Sequence, residues 1–531
     1  MTHGIVFGVA RSAVVSVVIC AELYGLNVLK ANLIANYFGQ GWRAVMSLAF
    51  VPIYIKYLGI EAYGLIGIFA ILMSALGLLD LGMKPALGRE MARYTGGTHN
   101  EQSIWNLLRS VEIVSCVIVI TVAFVIWLIS NWLATSWVKA QALPIPVIAQ
   151  AFAIMGLVAA LQFFESIYSS SLAGLQRQVI QNVVICSMAT IRGLGAVGVL
   201  VWISPTTQAF FVWQAICSCI GLLVCATVVY QSLPSPPKPA RFSKVALLSV
   251  WRFASGMLVI TILALLLTQV DKAVLSRMLA LDSFGYYVLA SSVAGSLAML
   301  VGPITAAYYP RFNQLIVMGD TVGIHSAYHQ AAQLVTVIVG SATAVLFFFS
   351  EQILVLWTSN PELSHKVAPI MAVLALGTFL NCLMWVPYQM QLAYGWTSLT
   401  VTINSIAVAL LVPAIFVMVP MYGPIAASWI WVILNSGYCL VGIHFMYRRI
   451  LKTEKWAWYI RDVLIPLLAA SAIAFLGSLI FPVTVERRWG VGLITLISAI
   501  SIGAAALAAP LIRVKSFGYL CGLNSRLSGT K

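Results

Sequence analysis

The chain has 531 residues, of which 61% are hydrophobic and only 8% are charged, and its formal net charge is +15. Soluble domains carry about a quarter of charged residues, so lipid is the solvent for most of this chain and a soluble domain is excluded as its overall class. The positive charge does not by itself indicate nucleic-acid binding, because basic loops also orient membrane proteins. What matters is which loops contain the Lys and Arg residues.

The first thirty residues stand apart from the rest. Residues 13–21 are apolar but too short to span a bilayer, and a basic start followed by a short apolar core can be read as a signal peptide. The membrane spans can be counted without this segment. We interpret residues 1–30 as a dispensable leader or a mis-assigned start.

About 14 apolar stretches follow, each with the roughly 20 residues that a helix needs to cross a hydrocarbon core of about 30 Å. The predicted fold class is an all-α polytopic membrane protein with two six-helix bundles, residues 31–230 and 251–447, around a central cavity. Two extra helices are predicted at 448–512, and a cytoplasmic tail at 513–531. The approximate spans are 33–55, 62–83, 110–133, 146–172, 179–203, 208–230, 253–275, 284–306, 331–350, 367–390, 399–419, 424–446, 462–481 and 490–512.

A proline-rich stretch at 231–250 separates the first six spans from the next six. Its four prolines, Pro234, Pro236, Pro237 and Pro239, predict a stiff, extended connector. Lys and Arg residues concentrate in this and the other loops on the same side, about 19 against about 7, which predicts that this side and both termini are cytoplasmic.

A nine-residue pattern occurs once in each half. Lys56–Gly64 and Arg277–Gly285 share a base, a leucine, an acid, an aromatic residue and a glycine at the same spacing, each in a predicted external loop after the first helix of its half. The match indicates a duplication. Because both copies keep the same orientation, we expect the halves to be related by an axis along the membrane normal.

Two arginines, Arg43 and Arg192, lie deep inside predicted spans, where an unassisted cation is costly. Each should face a protein-lined cavity, a counter-ion or an anionic ligand, which predicts a protein that handles something negatively charged. The alternatives are that Arg43 snorkels to the cytoplasmic surface, if its helix begins near Gly39, and that Arg192 forms an internal salt bridge, for which Glu165 is the candidate partner.

The chain resembles a known family at several of these segments. The first half has Val51–Gly59, Ala62–Leu65, Leu79–Gly82 and Arg89–Arg93; the second has Asp271, Leu275–Arg277, Phe284–Tyr287, Tyr309–Phe312 and Pro387–Trp396. Their order and spacing are similar to those of Wzx-type O-antigen and polysaccharide flippases of the multidrug/oligosaccharidyl-lipid/polysaccharide exporter superfamily. The resemblance covers roughly residues 33–465.

This resemblance implies a bacterial inner-membrane flippase that moves undecaprenyl-diphosphate-linked oligosaccharides from the cytoplasmic to the periplasmic leaflet. It implies membrane lipids as surroundings, and a polysaccharide polymerase and a chain-length regulator as possible partners. The anionic head group, which cannot cross hydrocarbon alone, would suit Arg43 and Arg192. Arg252, at the start of the seventh helix, is either an orientation anchor or part of a basic mouth that collects the diphosphate lipid.

Two acidic residues are candidates for ion coupling. Glu165 lies within the fourth span, and Asp271 neighbours Lys272 near the external end of the seventh, where a gate or a helix-end salt bridge is the alternative. Sugars offer C–H faces to rings and hydroxyl groups to amides, so six further residues are candidates to line a glycan path. They are Trp213, Gln214, Trp385, Tyr388, Gln389 and Gln391.

Signatures of an enzyme are missing from the sequence. There is no phosphate-binding loop of the GxxxxGK[ST] type, the six histidines show no metal-ligand spacing, and the nine cysteines lie almost entirely in apolar runs. We expect a transporter without cofactor or metal. The alternatives are an ion-coupled drug or metabolite antiporter of the same superfamily, which would need acidic cavity residues for cationic substrates, and a lipid-linked-sugar polymerase or ligase, which would need a large external loop.

Overall fold

The computed structural model describes residues 28–77, 83–95, 100–235, 238–244, 247, 262, 265–266, 268–396, 398–482 and 486–514. Residues 1–27 of the predicted leader, Arg252 and most of the predicted tail lie outside the described residues. The described chain is helical almost throughout and contains no β-strand, which confirms the all-α prediction. Its contacts divide it into two compact units, residues 1–282 and 283–531. The domain boundaries proposed from the sequence stay a prediction.

The described residues of unit 1 form eight helices that we number α1 to α8, followed by a helical segment at residues 268–278. They are α1 (Val28–Ala49), α2 (Val51–Leu58), α3 (Ile60–Leu76), α4 (Met83–Thr95), α5 (Glu101–Trp137), α6 (Ile145–Gly174), α7 (Gln178–Ile203) and α8 (Thr207–Ser232). The last turns of α5 and α7 are π-helical. The start of α2 at Val51, with Pro52 in its first turn, divides the first predicted span, and Gly59 (φ +83°) at the end of α2 directs the chain into α3.

The helices that lie largely or wholly in unit 2 are α9 to α16. They are α9 (Leu281–Met318), α10 (Thr321–Phe348), α11 (Ser350–Thr358), α12 (Pro361–Ala393), α13 (Ser398–Tyr422), α14 (Pro424–Arg449), α15 (Lys455–Ile480) and α16 (Arg487–Ala508). Among the described residues of both units, 11 helices are long and apolar enough to cross a membrane, and α3 is a shorter apolar helix. The chain is thus a multi-pass membrane protein, although the predicted count of 14 spans is not confirmed.

Helix α5 is longer than the apolar stretch that predicted it. The expected span was 110–133, but the helix begins at Glu101, where the side chain of Asn100 accepts a hydrogen bond from the backbone N–H of Ser103 at 2.8 Å. This cap satisfies a backbone donor that the helix leaves unpaired at its start. The first turns of α5 are polar, so hydropathy alone did not find them.

Polar side chains of α5 hold the proline-rich connector along unit 1. Gln102, Asn106 and Ser110, spaced four residues apart on one helix face, accept hydrogen bonds from the backbone N–H groups of Lys238, Arg241 and Ser243 at 2.8–2.9 Å. Trp105, on the same turns, donates through Nε1 to the carbonyl of Pro234 at 2.7 Å and stacks on Tyr230. The connector is therefore a strap whose backbone is bound by a neutral polar stripe.

Glu61 organises the loop end of unit 1 that the charge distribution assigns to the exterior. Its carboxylate, which is 8% exposed, accepts hydrogen bonds from the backbone N–H groups of Gln141, Ala142 and Leu143 at 2.9–3.1 Å. In the same corner the backbone N–H of Leu281 donates to the carbonyl of Lys139 at 2.9 Å. The acidic residue of the repeated pattern is thus an acceptor for a loop backbone.

We expect Glu61→Gln to lower the stability of the protein markedly. A carboxamide keeps one acceptor oxygen but turns an NH₂ group toward backbone donors, and losing a charge-assisted acceptor at a buried site costs about 2–3 kcal/mol. The unfolding midpoint of purified protein in a mild detergent measures the effect. Glu101→Gln, at the exposed start of α5, is the control and should leave the midpoint within about 1 °C of wild type. An unchanged midpoint for Glu61→Gln would contradict the assignment.

Unit 2 holds its last two helices through small side chains. Ala470 and Ala474 of α15 and Ala505 of α16 are fully buried together with Val337 and Ala344 of α10. The hydroxyl of Ser501 donates to the carbonyl of Ala470 at 3.0 Å. Close approach of backbones at small residues is how helices pack in lipid, so the pair α15 and α16 is an integral layer of this unit.

Candidate functional site

Helices α1 and α7 run side by side and in the same direction, joined by polar side chains inside the apolar segments. The carboxamide of Asn36 donates to Gln178 and accepts from Asn182, both at 2.6 Å. Further along, Trp42 donates through Nε1 to the hydroxyl of Thr190 at 2.9 Å. These amides were missed by the sequence analysis, although the i, i+4 spacing of Gln178 and Asn182 in an apolar helix was an available signal.

Glycines set the closeness of these helices. A Cβ atom on Gly39 of α1 would lie 2.0 Å from Oδ1 of Asn182, and one on Gly193 of α7 would lie 2.3 Å from the ring of Phe50. Gly195 is covered by the indole of Trp213 from α8. Absence of a side chain at these positions lets α7 pack tightly against both α1 and α8.

Arg43 lies in the middle of the continuous helical path from Val28 to Leu58. It is 15 residues from Val28 and 15 from Leu58, about 22 Å of helix in either direction. Its side chain is exposed, and no ion pair joins it to any part of the chain that the structure describes. Because α1 begins at Val28, the later helix start near Gly39 that the snorkelling alternative requires is not observed.

Arg192 is paired inside unit 1. Its Nη2 atom donates to Oε2 of Glu165 at 2.8 Å, and the two side chains are 23% and 17% exposed. This is the salt bridge that the sequence analysis named as an alternative. The Nε atom of Arg192 is buried without a hydrogen-bond partner in the described residues, so the guanidinium retains donor capacity beyond the pair.

Helix α8 forms the third wall around this ion pair. A Cβ atom on Gly221 would lie 3.0 Å from the carboxylate of Glu165, so the glycine makes room for the charged group. One turn before Glu165, Gln162 donates to the hydroxyl of Ser218 on α8 at 3.2 Å. The ion pair thus lies among side chains of α6, α7 and α8, with a polar contact between Gln162 and Ser218 one turn away.

The remaining predicted coupling residue, Asp271, lies in the helical segment 268–278. Its Oδ2 atom is 3.6 Å from Nζ of Lys272, and that amine also donates to the carbonyl of Thr268 at 2.9 Å. The contact agrees with a salt bridge between neighbours on one helix. Arg252, the predicted cytoplasmic collector, cannot be placed because it lies outside the described residues.

The candidate glycan-path residues divide between the two units. In unit 1, Trp213 donates to the carbonyl of Ile191 at 3.3 Å, and Gln214 is half-buried. In unit 2, Tyr388 is exposed, Gln389 is half-buried, and Trp385 donates to Asn381 at 3.3 Å. Gln391 is buried and accepts a hydrogen bond from the hydroxyl of Thr400 at 2.9 Å, a contact that holds α12 to α13.

Comparison with known proteins gives the class. Residues 29–316, more than half of the chain, match the model of the polysaccharide biosynthesis protein family. A protein of Shigella flexneri described as "Putative O-antigen transporter" is 21% identical over 402 residues, which cover 75% of this chain and 93% of that protein. The chain therefore belongs to the polysaccharide biosynthesis protein family.

Two solved structures share the fold at low sequence identity. The lipid II flippase MurJ in its inward closed conformation has a TM-score of 0.66 at 14% identity, covering 90% of this chain and 98% of that one. An inward-facing MATE family multidrug transporter of the MOP superfamily has a TM-score of 0.61 at 12% identity, covering 87% and 96%. These similarities show the fold that the chain shares with these two proteins. The predicted family resemblance is confirmed by the family match and the Shigella relative, and the proteins that resemble the chain are described as transporters or flippases.

Proposed function

We propose that the protein is a flippase for undecaprenyl-diphosphate-linked oligosaccharide, the repeat unit of O-antigen or of another surface polysaccharide. It moves this lipid from the cytoplasmic to the periplasmic leaflet of a bacterial inner membrane by alternating access, with both termini in the cytoplasm. The observation that carries the proposal is the exposed guanidinium of Arg43 in α1, 15 residues from either end of the stretch that α1 and α2 form together, without a carboxylate partner in the described residues. Family membership and the Shigella relative support the substrate class.

The cost of an intramembrane cation favours a ligand at Arg43. A guanidinium exposed halfway across a bilayer is stable only beside water, protein dipoles or an anion. A diphosphate offers several oxygens in the geometry that a planar fork of N–H donors binds. Arg43 would therefore bind the head group while the glycan passes through a hydrated path and the polyprenyl tail remains in lipid.

Arg192 and Glu165 suggest how binding and release are coupled. In the described arrangement the carboxylate occupies one donor of the guanidinium. Protonation of Glu165 would free Arg192 for the diphosphate, and loss of that proton would return the carboxylate and expel the anion. In this scheme Glu165 is the ion-coupling residue; Asp271 is a second candidate, and Arg252 would collect the head group at the cytoplasmic mouth.

The substrate also defines the surroundings that we propose. Membrane lipids solvate the polyprenyl tail and the outer helix faces. A polymerase and a chain-length regulator would use the translocated unit. The aromatic and amide candidates Trp213, Gln214, Trp385, Tyr388 and Gln389 would contact the glycan, while Gln391, which bonds Thr400, would fix the wall that carries its neighbours.

Replacement of Arg43 tests the proposal. We expect Arg43→Ala to abolish surface-polysaccharide display in cells that depend on this gene, and Arg43→Lys to restore only part of it, because a point charge cannot reproduce the bidentate contacts. Display is measured by immunoblot of extracted polysaccharide against the amount of membrane-inserted protein. Ser47→Ala, one turn further along the same helix and exposed, is the matched control. Wild-type display by Arg43→Ala at equal abundance would refute the proposal.

An antiporter for drugs or metabolites is the second candidate, favoured by the MATE-like fold. Cationic drugs need acidic groups in their path, whereas the exposed mid-helix charge here is an arginine. Efflux of a cationic dye from cells expressing the protein distinguishes the two. Dye efflux that persists in Arg43→Ala, together with normal polysaccharide display, would favour the antiporter.

A further inference from the structure

The second half of the chain repeats the strap of the first half with different chemistry. On α10, His325, His329 and Gln333 are spaced four residues apart, as Gln102, Asn106 and Ser110 are on α5. The first stripe binds the connector that follows α8, and the second binds Glu454 and Asp462, in and just after the connection that follows α14. The first stripe therefore holds the connection that follows α8, and the second holds the connection that follows α14 together with the first two turns of α15.

The neighbouring aromatic residues support this equivalence. In unit 1, Trp105 of the stripe helix stacks on Tyr230 near the end of α8, with ring centroids 5.3 Å apart. In unit 2, Tyr328 of the stripe helix receives a hydrogen bond from Tyr447 near the end of α14, at 2.9 Å. Each stripe thus has an aromatic contact with the end of the preceding helix, but the stripe on α5 is neutral, whereas the stripe on α10 contains two histidines that face carboxylates.

His329 is placed between two carboxylates. Its Nδ1 atom contacts Oδ2 of Asp462, and its Nε2 atom lies 3.1 Å from Oε2 of Glu454. Each contact is a hydrogen bond only if the ring nitrogen carries a proton, because a carboxylate can only accept. While both acids are ionised, the two bonds together require the imidazolium form, because a neutral ring would turn one lone pair toward a negative oxygen.

The second carboxylate oxygen of each acid is also engaged. Gln333 donates to Oδ1 of Asp462 at 2.8 Å and accepts from the backbone N–H of Leu511, just beyond α16, at 2.9 Å. His325, which is 38% exposed, lies 3.2 Å from Oε1 of Glu454. Asp462 is 1% exposed and His329 is 12% exposed, so the centre of the cluster is closed to bulk water.

The other groups that act on the cluster are few. Tyr328, Tyr447 and Tyr459 surround Asp462, and their neutral hydroxyl groups supply no compensating charge. Glu454 lies in the connection between α14 and α15, outside the spanning helices. Burial alone would raise its pKa, but the hydrogen bonds from Thr453 and His329 and the nearby charges of His329 and His325 lower that pKa below its usual value. Two anions near one ring favour its cationic form.

We propose that His329, Glu454 and Asp462 form a proton-binding site that fastens α15 and α16 to the rest of unit 2 while the ring is charged. The ligand is a proton. Deprotonation of His329 would remove one bond and leave two carboxylates facing an uncharged ring, which loosens the attachment at α15 and, through Gln333, beyond the end of α16. The neutral stripe on α5 contains no titratable side chain, so its hold on the connector of unit 1 would not respond to pH in this range.

The sign of the pH effect follows from which state binds the proton. The folded cluster needs the imidazolium, so its contribution is present when His329 is protonated and is lost as the pH rises. Glu454 stays ionised above about pH 6 because its pKa lies below its usual value, so it does not reverse this trend. We therefore expect the attachment of α15 to weaken between pH 6 and pH 9.

Hydrogen exchange of the full chain in lipid nanodiscs tests the proposal. With rates corrected for intrinsic pH dependence, residues 455–464 of the wild type should exchange about tenfold faster at pH 9 than at pH 6, the change expected for losing a charged hydrogen bond. In His329→Gln the pH dependence should disappear. His365→Gln, an exposed histidine beside Glu351, is the control and should keep it.

A second variant keeps the test decisive if His329→Gln folds poorly. The double change His325→Gln with His329→Asn copies the stripe of Gln102 and Asn106, which holds a strap in unit 1. It should give protection that does not change from pH 6 to pH 9. Equal protection of the wild type at both pH values, or an unaltered pH dependence in the double variant, would overturn the proposal.

Discussion

Arg192→Ala is expected to destabilise unit 1 and to stop transport. The change leaves the carboxylate of Glu165, 17% exposed, without its only ion-pair partner in the described residues. Breaking a buried pair costs about 3–5 kcal/mol, and the remaining exposure of both side chains reduces this to about 2–3 kcal/mol. The unfolding midpoint in detergent and polysaccharide display measure the two effects.

The double variant separates charge from packing. Arg192→Ala combined with Glu165→Ala removes both ions, so the midpoint should recover part of the loss while display remains absent. Glu165→Gln alone should keep the fold and abolish the response of transport to a proton gradient in vesicles. If the single and double changes destabilise the protein additively, the two charges are not coupled and the proposed exchange of partners fails.

The second large effect is expected at the crossing of α4 and α6. A Cβ atom on Gly174 would lie 2.2 Å from the carbonyl oxygen of Gly88 and 2.8 Å from Cβ of Met91. The closer atom is backbone and cannot rotate away, so Gly174→Ala must push the helices apart. Overpacking of this kind costs about 1–3 kcal/mol, and a backbone contact places it at the upper end.

Gly41→Ala is the matched control for this prediction. Gly41 also lies within a helix, but nothing is within 4 Å of a Cβ atom built there. Alanine is the better helix former by about 1 kcal/mol, so this variant should be as stable as wild type or slightly more stable. The comparison is made by unfolding midpoints and by yield of membrane-inserted protein. Equal stability of Gly174→Ala and Gly41→Ala would show that the crossing relaxes without cost.

Much of the fold could be predicted because lipid imposes simple rules. Apolar length located most helices, and the rarity of charge within them singled out Arg192 and Glu165, whose salt bridge the sequence offered as the alternative to a ligand at Arg192. The polar start of α5 could not be found in this way. Its helical turns carry Gln102, Asn106 and Ser110, which are satisfied by the strap rather than by apolar burial.

The cluster around His329 was missed for a different reason. His325 and His329 read as ordinary residues of a helix end, and Glu454 and Asp462 lie 125 or more residues later in a basic loop and the next helix. Neither segment contains a pattern that indicates the other as its partner. The contact depends on the packing of the helices from α10 to α15, which the sequence does not give. The stripe of residues spaced by four was the available signal, but it gains meaning only beside its neutral counterpart on α5.

The buried carboxylate of Glu61 changes how its motif should be used. The motif contains an acid that binds a loop backbone and a glycine with positive φ just before it. Both residues determine the local backbone structure, so the motif indicates this loop arrangement. Genome searches with this nine-residue motif would then find chains that share this loop structure, whatever their substrates are. If the proposed function holds, the positions equivalent to Arg43 and Arg192 are the ones by which such chains would be sorted according to substrate.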